Sequence, residues 1–410
     1  MMAAQVIEPS RNGSINDSML TSVQTADGMV LVVPYPELVM QRLDALVDDS
    51  LMETTQLGLL VWDLTDDMPL YARNPRHLLR TASTMKLLTA ISALDYLGGN
   101  YQFTTSLYYQ GTIHQHTLEG DLIVVGGMDP EFNIVGLREF IDSLQHLGID
   151  TLRGSIVADR SFKDTLMWGE GWCWDDENPP LTPLLMNRKD NMVERFIDEL
   201  QKAGIVLDNI TVKTEKCPNT ALLICQCKHS IDQILMRMLK DSDNLYAECL
   251  FYQLAAYYGM PPARAIHARS LEKQLINHLG LEYDNYRFAD GSGLSLYNYV
   301  SAEMLTQLLR YAWKTESIRI HLLPALPIAG EDGTLAKRMK RTAAAGNVRA
   351  KTGTLSGISS LAGYLTTDAG HQLCFCIINQ GVMRNRDGRD FQDRLCQALC
   401  EPITQQEVSE

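Results

Sequence analysis

Ser83 and Lys86 are the first residues whose types and spacing could do chemistry. They lie in residues 81–91, where apolar residues recur at helical spacing, so both side chains are predicted on one face of a first helical turn. A serine there has a neighbouring amine that can take its proton and free backbone N–H groups, which an acyl-transfer nucleophile needs. The alternative interpretation is an N-cap serine beside a surface lysine. Gly98 and Gly99 end the predicted helix.

Two tripeptides far along the chain strengthen the chemical interpretation. Ser-Asp-Asn at 242–244 lies in a polar break between two helical patterns, and Lys-Thr-Gly at 351–353 ends an alternating run that predicts a strand. Alone, Asn244 could be an ordinary loop cap and Lys351 a strand-edge charge. The order S-x-x-K, S-D-N and K-T-G, however, is the motif set of penicillin-binding proteins and class A β-lactamases.

Length and composition limit the class of protein. The 410 residues allow two or three domains, and 45% hydrophobic residues suffice for a sizeable core. A formal net charge of -14 argues against nucleic acid as a partner. The sequence contains no apolar run that approaches the length of a transmembrane segment, and residues 1–25 show no signal-peptide pattern. We therefore expect either a cytosolic protein or an exported one without its leader.

Cysteine and histidine spacing indicates neither a metal nor another cofactor. The nine cysteines include no C-x-x-C pair, and Cys225 and Cys227 are predicted as small apolar residues of a strand. His114 and His116 have no third ligand suggested by the sequence. We therefore predict a chain that uses no metal.

The pattern of predicted elements changes at about residue 100. From there to about 227, short strands alternate with helices, whereas the last third of the chain has consecutive strands joined by short turns. We predict an inserted α/β domain at 101–227. The catalytic domain is then formed by 1–100 and 228–410, with an antiparallel sheet covered by helices on both faces.

Two helical stretches of the predicted insertion repeat one pattern. Residues 140–149 and 196–205 both end in Gly-Ile, which indicates either a duplicated helix–strand unit or the convergence of two amphipathic helices. A turn is predicted at Gly111, between the first strands of the insertion. The catalytic domain is predicted to resume near Ser230, which forms a capping box with Gln233.

Together these stretches resemble the low-molecular-mass class C penicillin-binding proteins, which are D-alanyl-D-alanine carboxypeptidases and endopeptidases. The likeness extends from about residue 55 to about residue 400. The family places its extra domains between S-x-x-K and S-D-N, where the insertion is predicted here. The resemblance implies a serine DD-peptidase/β-lactamase-like fold. The segments that carry the likeness are 79–88, 118–122, 238–248, 290–295, 329–335 and 349–357.

The resemblance implies acylation and deacylation on Ser83. Lys86 would accept the serine proton, and burial together with the like charge of Lys351 would lower the pKa of Lys86. Ser242 would relay the proton towards the leaving D-alanine, and Asn244 would hold the peptide amide. The substrates would be peptidoglycan peptides, β-lactams would be covalent inhibitors, and the location would be the periplasm or cell envelope.

The same resemblance implies the substrate-binding residues. Lys351 and Thr352 would attract the terminal carboxylate of the peptide. The backbone N–H groups of Ser83 and Thr354 would form an oxyanion hole. Gly353 is expected to be a glycine because a side chain there would block close approach to the substrate.

Specificity depends on two departures from the family pattern and on one acid. Residues 185–188 lead almost directly into the helix near 191, so the nested third domain of the family is predicted to be absent. Leu296 stands where the family often has an arginine associated with the side-chain end of the substrate. Asp176 would contact the amino group of the peptide's third residue; the alternative is a solvated acid after two tryptophans.

Two other functions are compatible with the same motifs. The first is a β-lactamase or esterase on this fold, although the E-x-x-L-N pattern of class A β-lactamases is missing from the sequence. The second is a non-catalytic peptidoglycan-binding protein, which the presence of both Ser83 and Lys86 disfavours.

Overall fold

The computed structural model describes residues 21–25, 28–32, 35–176, 178–259 and 261–402. Residues 1–20, part of the predicted catalytic domain, lie outside the described residues. The strands are β1 (Thr21–Thr25), β2 (Gly28–Val32), β3 (Gln56–Asp63), β4 (Met68–Arg73), β5 (Gln102–His114), β6 (Thr117–Val125), β7 (Thr151–Asp159), β8 (Val206–Thr214), β9 (Leu222–Ser230), β10 (Arg349–Leu355), β11 (Ile358–Thr366) and β12 (Gln372–Gln380). The helices are α1 (Tyr35–Val47), α2 (Lys86–Tyr96), α3 (Ile134–His146), α4 (Met192–Lys202), α5 (Ile231–Lys240), α6 (Asn244–Tyr257), α7 (Ala265–His278), α8 (Ala302–Lys314), α9 (Glu316–Ala325) and α10 (Asn385–Cys400).

The first five-stranded sheet has the order β10-β11-β12-β3-β4 and is antiparallel throughout. Its central strands are almost entirely buried because helices cover both faces. One face packs on a core that includes Leu88, Leu250 and Leu308 of α2, α6 and α8. The other packs on α1 and α10 through Leu43 and Phe391. The predicted antiparallel sheet between two helical layers is confirmed.

The helix that begins at Lys86 is the centre of the first of these cores. Residues Ala82–Met85 form a 3-10 turn, and α2 continues directly from it. Leu87 and Ile91 are fully buried, as expected for a helix that is apolar on most sides. Gly98, at a φ of 78°, follows the end of the helix. The turn and α2 therefore hold the residues at their junction in place.

The second five-stranded sheet has the order β8-β7-β6-β5-β9 and mixes strand directions. β6, β7 and β8 are parallel, whereas β5 is antiparallel to both β6 and β9. Helices α3 and α4 cover one face through a separate apolar core that contains Phe140 and Phe196. The chain between 102 and 230 thus has the strand–helix composition that was predicted for the insertion.

The turn predicted at Gly111 is wrong. Gly111 lies inside β5 opposite Gly120, and the hairpin turns at Gln115 and His116, which have φ values of 44° and 67°. A Cβ on Gly111 would lie 2.2 Å from the carbonyl oxygen of Glu119. The glycine is needed for close contact between the strands and not for a change of chain direction.

The two repeated helical stretches end with the same geometry. Gly148 and Gly204 follow α3 and α4 with φ values of 74° and 81°. The next residue in each case, Ile149 or Ile205, donates its N–H back into the last turn of its helix and is buried in the shared core. The Gly-Ile pairs therefore end both helices and lead into the strands that follow, β7 and β8.

Between β7 and α4, the described residues contain neither an α-helix nor a strand of more than one residue. At the other end of the second sheet, β9 leads into α5 through the capping box of Ser230 and Gln233, as predicted. Among the described helices, each is too short or too polar to cross a bilayer.

Candidate active site

The S-x-x-K pair lies at the junction of the 3-10 turn and α2. Ser83 is half-buried within the turn, and Lys86 is the first residue of α2 and fully buried. The two side chains face each other with Lys86 Nζ 2.9 Å from Ser83 Oγ. Ser83 does not cap α2, which starts without a side-chain cap. The structure therefore joins the serine to the amine and disagrees with the N-cap interpretation.

The S-D-N motif forms the connection between α5 and α6. Asp243 is the N-cap of α6, and its Oδ1 accepts the N–H groups of Leu245 and Tyr246 at 3.0 and 3.4 Å. Asn244 is then the first residue of the helix, and its Oδ1 accepts a hydrogen bond from Lys86 Nζ at 2.7 Å. Thus Asp243 and not Asn244 caps the helix, and the amide of Asn244 faces the amine of Lys86.

The K-T-G motif lies on β10, the edge strand of the antiparallel sheet. Lys351 is fully buried, and its Nζ donates to Ser242 Oγ at 2.8 Å and to the carbonyl of Thr352 at 2.7 Å. Thr352 is half-buried and its hydroxyl donates to Thr334 Oγ1, whereas Thr354 is exposed. The third motif is therefore linked to the second through a lysine and a serine.

Packing also requires a glycine at position 353, in addition to the close approach of the substrate that the sequence analysis gave as the reason. A Cβ there would lie 2.2 Å from Ser360 Oγ and 2.4 Å from the carbonyl oxygen of Thr81, and 3.1 Å from the backbone nitrogen of Ser83. Ser360 also donates to the Thr81 carbonyl at 2.5 Å. The missing side chain thus allows β10 to lie directly against the turn that carries the serine.

The pKa of Lys86 is lowered to about 8, and burial is the cause. The carboxylates of Asp290, Glu248 and Asp243 oppose this change because they favour the charged amine. Lys86 Nζ also donates to the carbonyl oxygen of Ser292 at 2.8 Å. A lysine in this environment can lose its proton near neutral pH, which a general base requires.

The pKa of Lys351 is also lowered. Burial first, and then the charge of Lys86, hold that pKa well below its ordinary value. Three carboxylates influence Lys86, whereas Lys351 has hydroxyl and carbonyl partners. Burial therefore favours the neutral form of both amines, and carboxylates oppose this effect at Lys86.

The loop at 290–295 supports this site, although we did not predict a chemical role for it. Asp290 is buried and accepts the N–H of Gly293 at 2.9 Å and that of Ser295 at 2.7 Å. A Cβ on Gly293, whose φ is 79°, would lie 2.0 Å from the carbonyl oxygen of Ala82, so the loop lies against the nucleophile turn. The folded loop presents the carbonyl of Ser292 to Lys86.

Glu248 holds the same loop from α6. Its Oε1 accepts the N–H of Ser292 at 2.8 Å, and burial together with the charge of Asp290 raises its pKa to about 8. Glu248 follows Asn244 by four positions on α6, which is the spacing of one helix face. That spacing is the sequence signal that could have identified it.

Asp176 belongs to a segment that is attached to this loop. Trp172 Nε1 donates to Asp290 Oδ2 at 2.8 Å, whereas Asp176 is half-buried and accepts the N–H of Cys173 at 2.6 Å. Trp174 is 97% exposed. Leu296 is partly exposed, and its carbonyl accepts a hydrogen bond from Arg80. Asp176 is thus joined to the residues of the three motifs indirectly, through Trp172 and Asp290.

Together the fold and the site define an active-site serine enzyme in which a buried amine adjoins the nucleophile. The sequence matches the D-Ala-D-Ala carboxypeptidase 3 (S13) family over residues 39–187 and 185–401. This protein belongs to that family, and it is a serine-type D-Ala-D-Ala carboxypeptidase of the low-molecular-mass class C penicillin-binding group.

Two characterised relatives support the assignment along most of the chain. The sequence is 25% identical to the D-alanyl-D-alanine carboxypeptidase DacB of Haemophilus influenzae, covering 80% of this chain and 85% of the relative. It is 26% identical to the D-alanyl-D-alanine carboxypeptidase of Actinomadura sp. strain R39, covering 83% of this chain and 80% of the relative.

Solved structures support the fold. The crystal structure of penicillin-binding protein 4 from Haemophilus influenzae superposes with a TM-score of 0.78, at 23% sequence identity, over 90% of this chain and 98% of that one. A second crystal structure of the same protein, complexed with a β-lactam, gives a TM-score of 0.72 at 24% identity over 86% and 98% of the two chains. The predicted serine DD-peptidase/β-lactamase-like fold with an α/β insertion is confirmed.

Proposed function

We propose that this carboxypeptidase hydrolyses peptidoglycan stem peptides through an acyl-enzyme on Ser83. The observation that carries the proposal is the hydrogen-bonded cluster in which Lys86 joins Ser83 to Asn244, and Lys351 joins Ser242 to β10. Five side chains from three distant parts of the chain converge there. The proposal covers both the removal of a terminal D-alanine and the cleavage of a peptide cross-link, because both reactions acylate the same serine.

Lys86 is the proposed base. A neutral amine has two N–H donors and one lone pair. Asn244 Oδ1 and the Ser292 carbonyl accept the two N–H groups, so the lone pair is left for the hydroxyl of Ser83. Proton transfer from Ser83 to Lys86 then accompanies attack on the substrate carbonyl.

Ser242 and Lys351 are the proposed route for the proton to the leaving group. Ser242 donates its hydroxyl proton to the D-alanine nitrogen and is reprotonated by the ammonium of Lys86 or Lys351. Lys351, with its lowered pKa, gains a proton as the terminal carboxylate of the peptide binds, because that negative charge favours the ammonium form. Asn244 holds the peptide amide, and Thr352 binds the carboxylate with Lys351.

The backbone completes the proposed site. The N–H groups of Ser83 and Thr354 stabilise the negative oxygen of the tetrahedral intermediate, and a donor of this kind contributes about 3–4 kcal/mol in other acyl-transfer enzymes. Gly353 supports this proposal because its small size keeps β10 against the nitrogen of Ser83. Asp176 is the proposed contact for the amino group on the third residue of the stem peptide.

β-Lactams are the proposed covalent inhibitors of this enzyme. They contain a strained amide that can acylate the same serine, and the penicillin-binding protein 4 complex supports this proposal by analogy. Because peptidoglycan lies outside the cytoplasmic membrane, we expect the protein to act in the periplasm or cell envelope. The inserted domain is proposed to span 101–227, without the nested third domain of the family.

Intact-mass spectrometry after incubation with penicillin tests the proposal. We expect one drug adduct per chain, located by peptide mapping on Ser83 and missing from Ser83→Ala. In parallel, a D-alanyl-D-alanine peptide should be turned over many times, whereas penicillin should be released slowly. An unmodified mass, an adduct on another residue, or faster turnover of penicillin than of the peptide would contradict the proposal.

A further inference from the structure

The S-D-N motif lies beneath two loops of the inserted region, at 126–132 and 183–189. The loops bind each other: the N–H of Met128 donates to the Pro183 carbonyl at 2.9 Å, and Asn187 N–H donates to the Phe132 carbonyl at 3.0 Å. They also contact α6, where the Tyr246 hydroxyl donates to the carbonyl of Pro130 at 3.3 Å. The inserted region is therefore fixed to the first turn of the helix that starts at Asn244.

Arg188 extends this contact into the motif itself. Its guanidinium forms a charged hydrogen bond with Asp243 Oδ2, while the other oxygen of Asp243 caps α6. Only 9% of the Asp243 side chain is exposed, so the arginine meets a carboxylate with little access to water. Charge-assisted hydrogen bonds of this kind are about twice as strong as neutral ones.

The backbone on both sides of this ion pair is in the left-handed region. Ser242 has a φ of 60°, and Arg188 and the preceding Asn187 have φ values of 67° and 47°. Residues with a side chain rarely adopt such values unless the surrounding contacts hold them there. For Ser242 those contacts are the hydrogen bond from Lys351 to its hydroxyl and the anchored carboxylate of its neighbour Asp243.

A second arginine also lies near the Asp243 carboxylate, but it is farther away and more exposed to solvent than Arg188. Arg237 of α5 lies 3.5 Å from Asp243 Oδ2, and its side chain is 47% exposed. Both guanidinium groups lie near the ring of Tyr246, at 5.8 Å for Arg188 and 5.3 Å for Arg237. If Arg188 is truncated, Asp243 keeps one cationic neighbour and can still cap α6, although less firmly, so the chain should still fold.

We propose that Arg188 is a positioning residue for the hydrolysis, through which the inserted region holds the S-D-N turn against the two catalytic lysines. This inference rests on the proposed roles of Ser242 and Asn244. Loss of the Arg188–Asp243 contact lets the turn at Ser242 relax, which moves the Ser242 hydroxyl and the Asn244 amide from Lys351 and Lys86. A displacement of about 1 Å can slow an enzymatic reaction about 100-fold.

The test compares Arg188→Ala and Arg188→Lys with the matched control Arg153→Ala. Arg153 also belongs to the inserted region and forms two ion pairs, with Glu119 and Asp208, on the second sheet. We expect Arg188→Ala to slow penicillin acylation about 10- to 100-fold at saturating drug, with less effect on the concentration that gives half the maximal rate. Arg188→Lys should recover part of the rate, and Arg153→Ala should match the unmodified protein.

Coupling to Asp243 separates positioning from general destabilisation. Asp243→Asn keeps a helix-capping side chain but removes the charge. In that background, Arg188→Ala should add less than about a twofold further loss, because the ion pair is already broken. Equal rates for Arg188→Ala and the unmodified protein would overturn the inference, as would an equal loss in Arg153→Ala or a full additional loss in the Asp243→Asn background.

A hydrogen-exchange measurement tests the role of Arg188 independently of the proposed function. The amides of Leu245 and Tyr246, both bonded to Asp243, should exchange faster in Arg188→Ala and unchanged in Arg153→Ala. If the unmodified protein fails to react with penicillin, the proposed function is wrong, and the exchange result still decides whether Arg188 holds the turn. Unchanged exchange at these amides in Arg188→Ala would overturn the inference.

Discussion

The sheet that carries Lys351 is antiparallel, and its central strands are buried on both faces. The sheet between 102 and 230 has three parallel strands, and both of its edge strands carry several exposed apolar residues. Those exposed residues are Val206, Val212, Leu222 and Leu223. The first sheet contributes a strand directly to the catalytic cluster. Among the described residues, the second sheet meets the S-D-N turn through its loops at 126–132 and 183–189 and through α5, which follows β9. We therefore expect the chemistry in the region whose sheet is covered by helices on both faces.

The two regions also differ in how they treat polar groups. In the catalytic region, Lys86, Lys351, Glu248 and Asp290 are all buried, and each has hydrogen-bonding partners. The inserted region contains both surface pairs, such as those of Arg153, and a pair in which the fully buried Lys163 side chain meets Asp164. Surface pairs contribute little and are screened by water, whereas buried charged groups change each other's pKa. The catalytic region differs in that its buried charged groups lie close enough together to influence the pKa values of Lys86 and Lys351.

The largest expected effect is the loss of the base in the catalytic region. Lys86→Ala should reduce penicillin acylation by a factor on the order of 10⁴ or more, because Ser83 loses the group that takes its proton. Stopped-flow acylation and circular dichroism would measure activity and folding. The matched control is Lys273→Ala, which removes an exposed lysine paired with Asp284. A loss of less than tenfold in Lys86→Ala would assign the base to another group.

A pair of core substitutions tests whether the two regions are separate units. Phe196→Ala should destabilise the inserted region by about 3–5 kcal/mol, because a fully buried ring leaves a cavity, and Phe391→Ala should do the same in the catalytic region. Hydrogen exchange should accelerate in β7 for the first variant and in β11 for the second. Equal acceleration in both strands for either variant would mean that the regions unfold as one.

The pH dependence of acylation tests the electrostatics of the catalytic cluster. Burial lowers the pKa of Lys86 to about 8, so the neutral, proton-accepting form increases as the pH rises through 8. We expect the acylation rate to increase about 50-fold between pH 6 and pH 8 and then to level off. Rates measured after a return to pH 7 control for denaturation. A flat or falling profile over this interval would contradict a neutral lysine base.

The most limited expected effect, confined to one class of substrate, concerns the segment between β7 and α4. Asp176→Asn should lower kcat/KM about 10- to 100-fold for peptides whose third residue carries an amine, because one charge-assisted contact is lost. Penicillin acylation should change little. Three synthetic peptides, with meso-diaminopimelate, lysine and an uncharged side chain, supply the comparison. If the uncharged peptide slows as much as the others, Asp176 has a structural role instead.

Leu296 refines the same measurement. A meso-diaminopimelate side chain carries an amine and a carboxylate, whereas lysine carries only the amine. With leucine in place of the arginine that family members often have, discrimination between these two peptides should be weak. Leu296→Arg should increase the preference for the diaminopimelate peptide, and an unchanged ratio would show that this position does not face the substrate side chain.

Local sequence patterns predicted the elements of both regions well. The prediction at Gly111 failed because it depended on a contact distant in sequence. The capping box at Ser230 and the helix ends at Gly148 and Gly204 could be predicted from the sequence because each depends on a few adjacent residues. Gly111 was misassigned to a turn because its reason lies on the neighbouring strand, opposite Gly120. A glycine required by a contact distant in sequence looks the same as a glycine in a turn.

By itself, the sequence determined which residues could do the chemistry, and it placed Lys86 on a helix and Lys351 on a strand. The spacing of Ser83 and Lys86, the break at 242–244 and the alternation before Lys351 each depend on a few consecutive residues. Only the tertiary structure decided which groups meet and how they titrate. The pKa of Lys86 and the contact between Arg188 and Asp243 depend on burial and on charges brought together from distant parts of the chain.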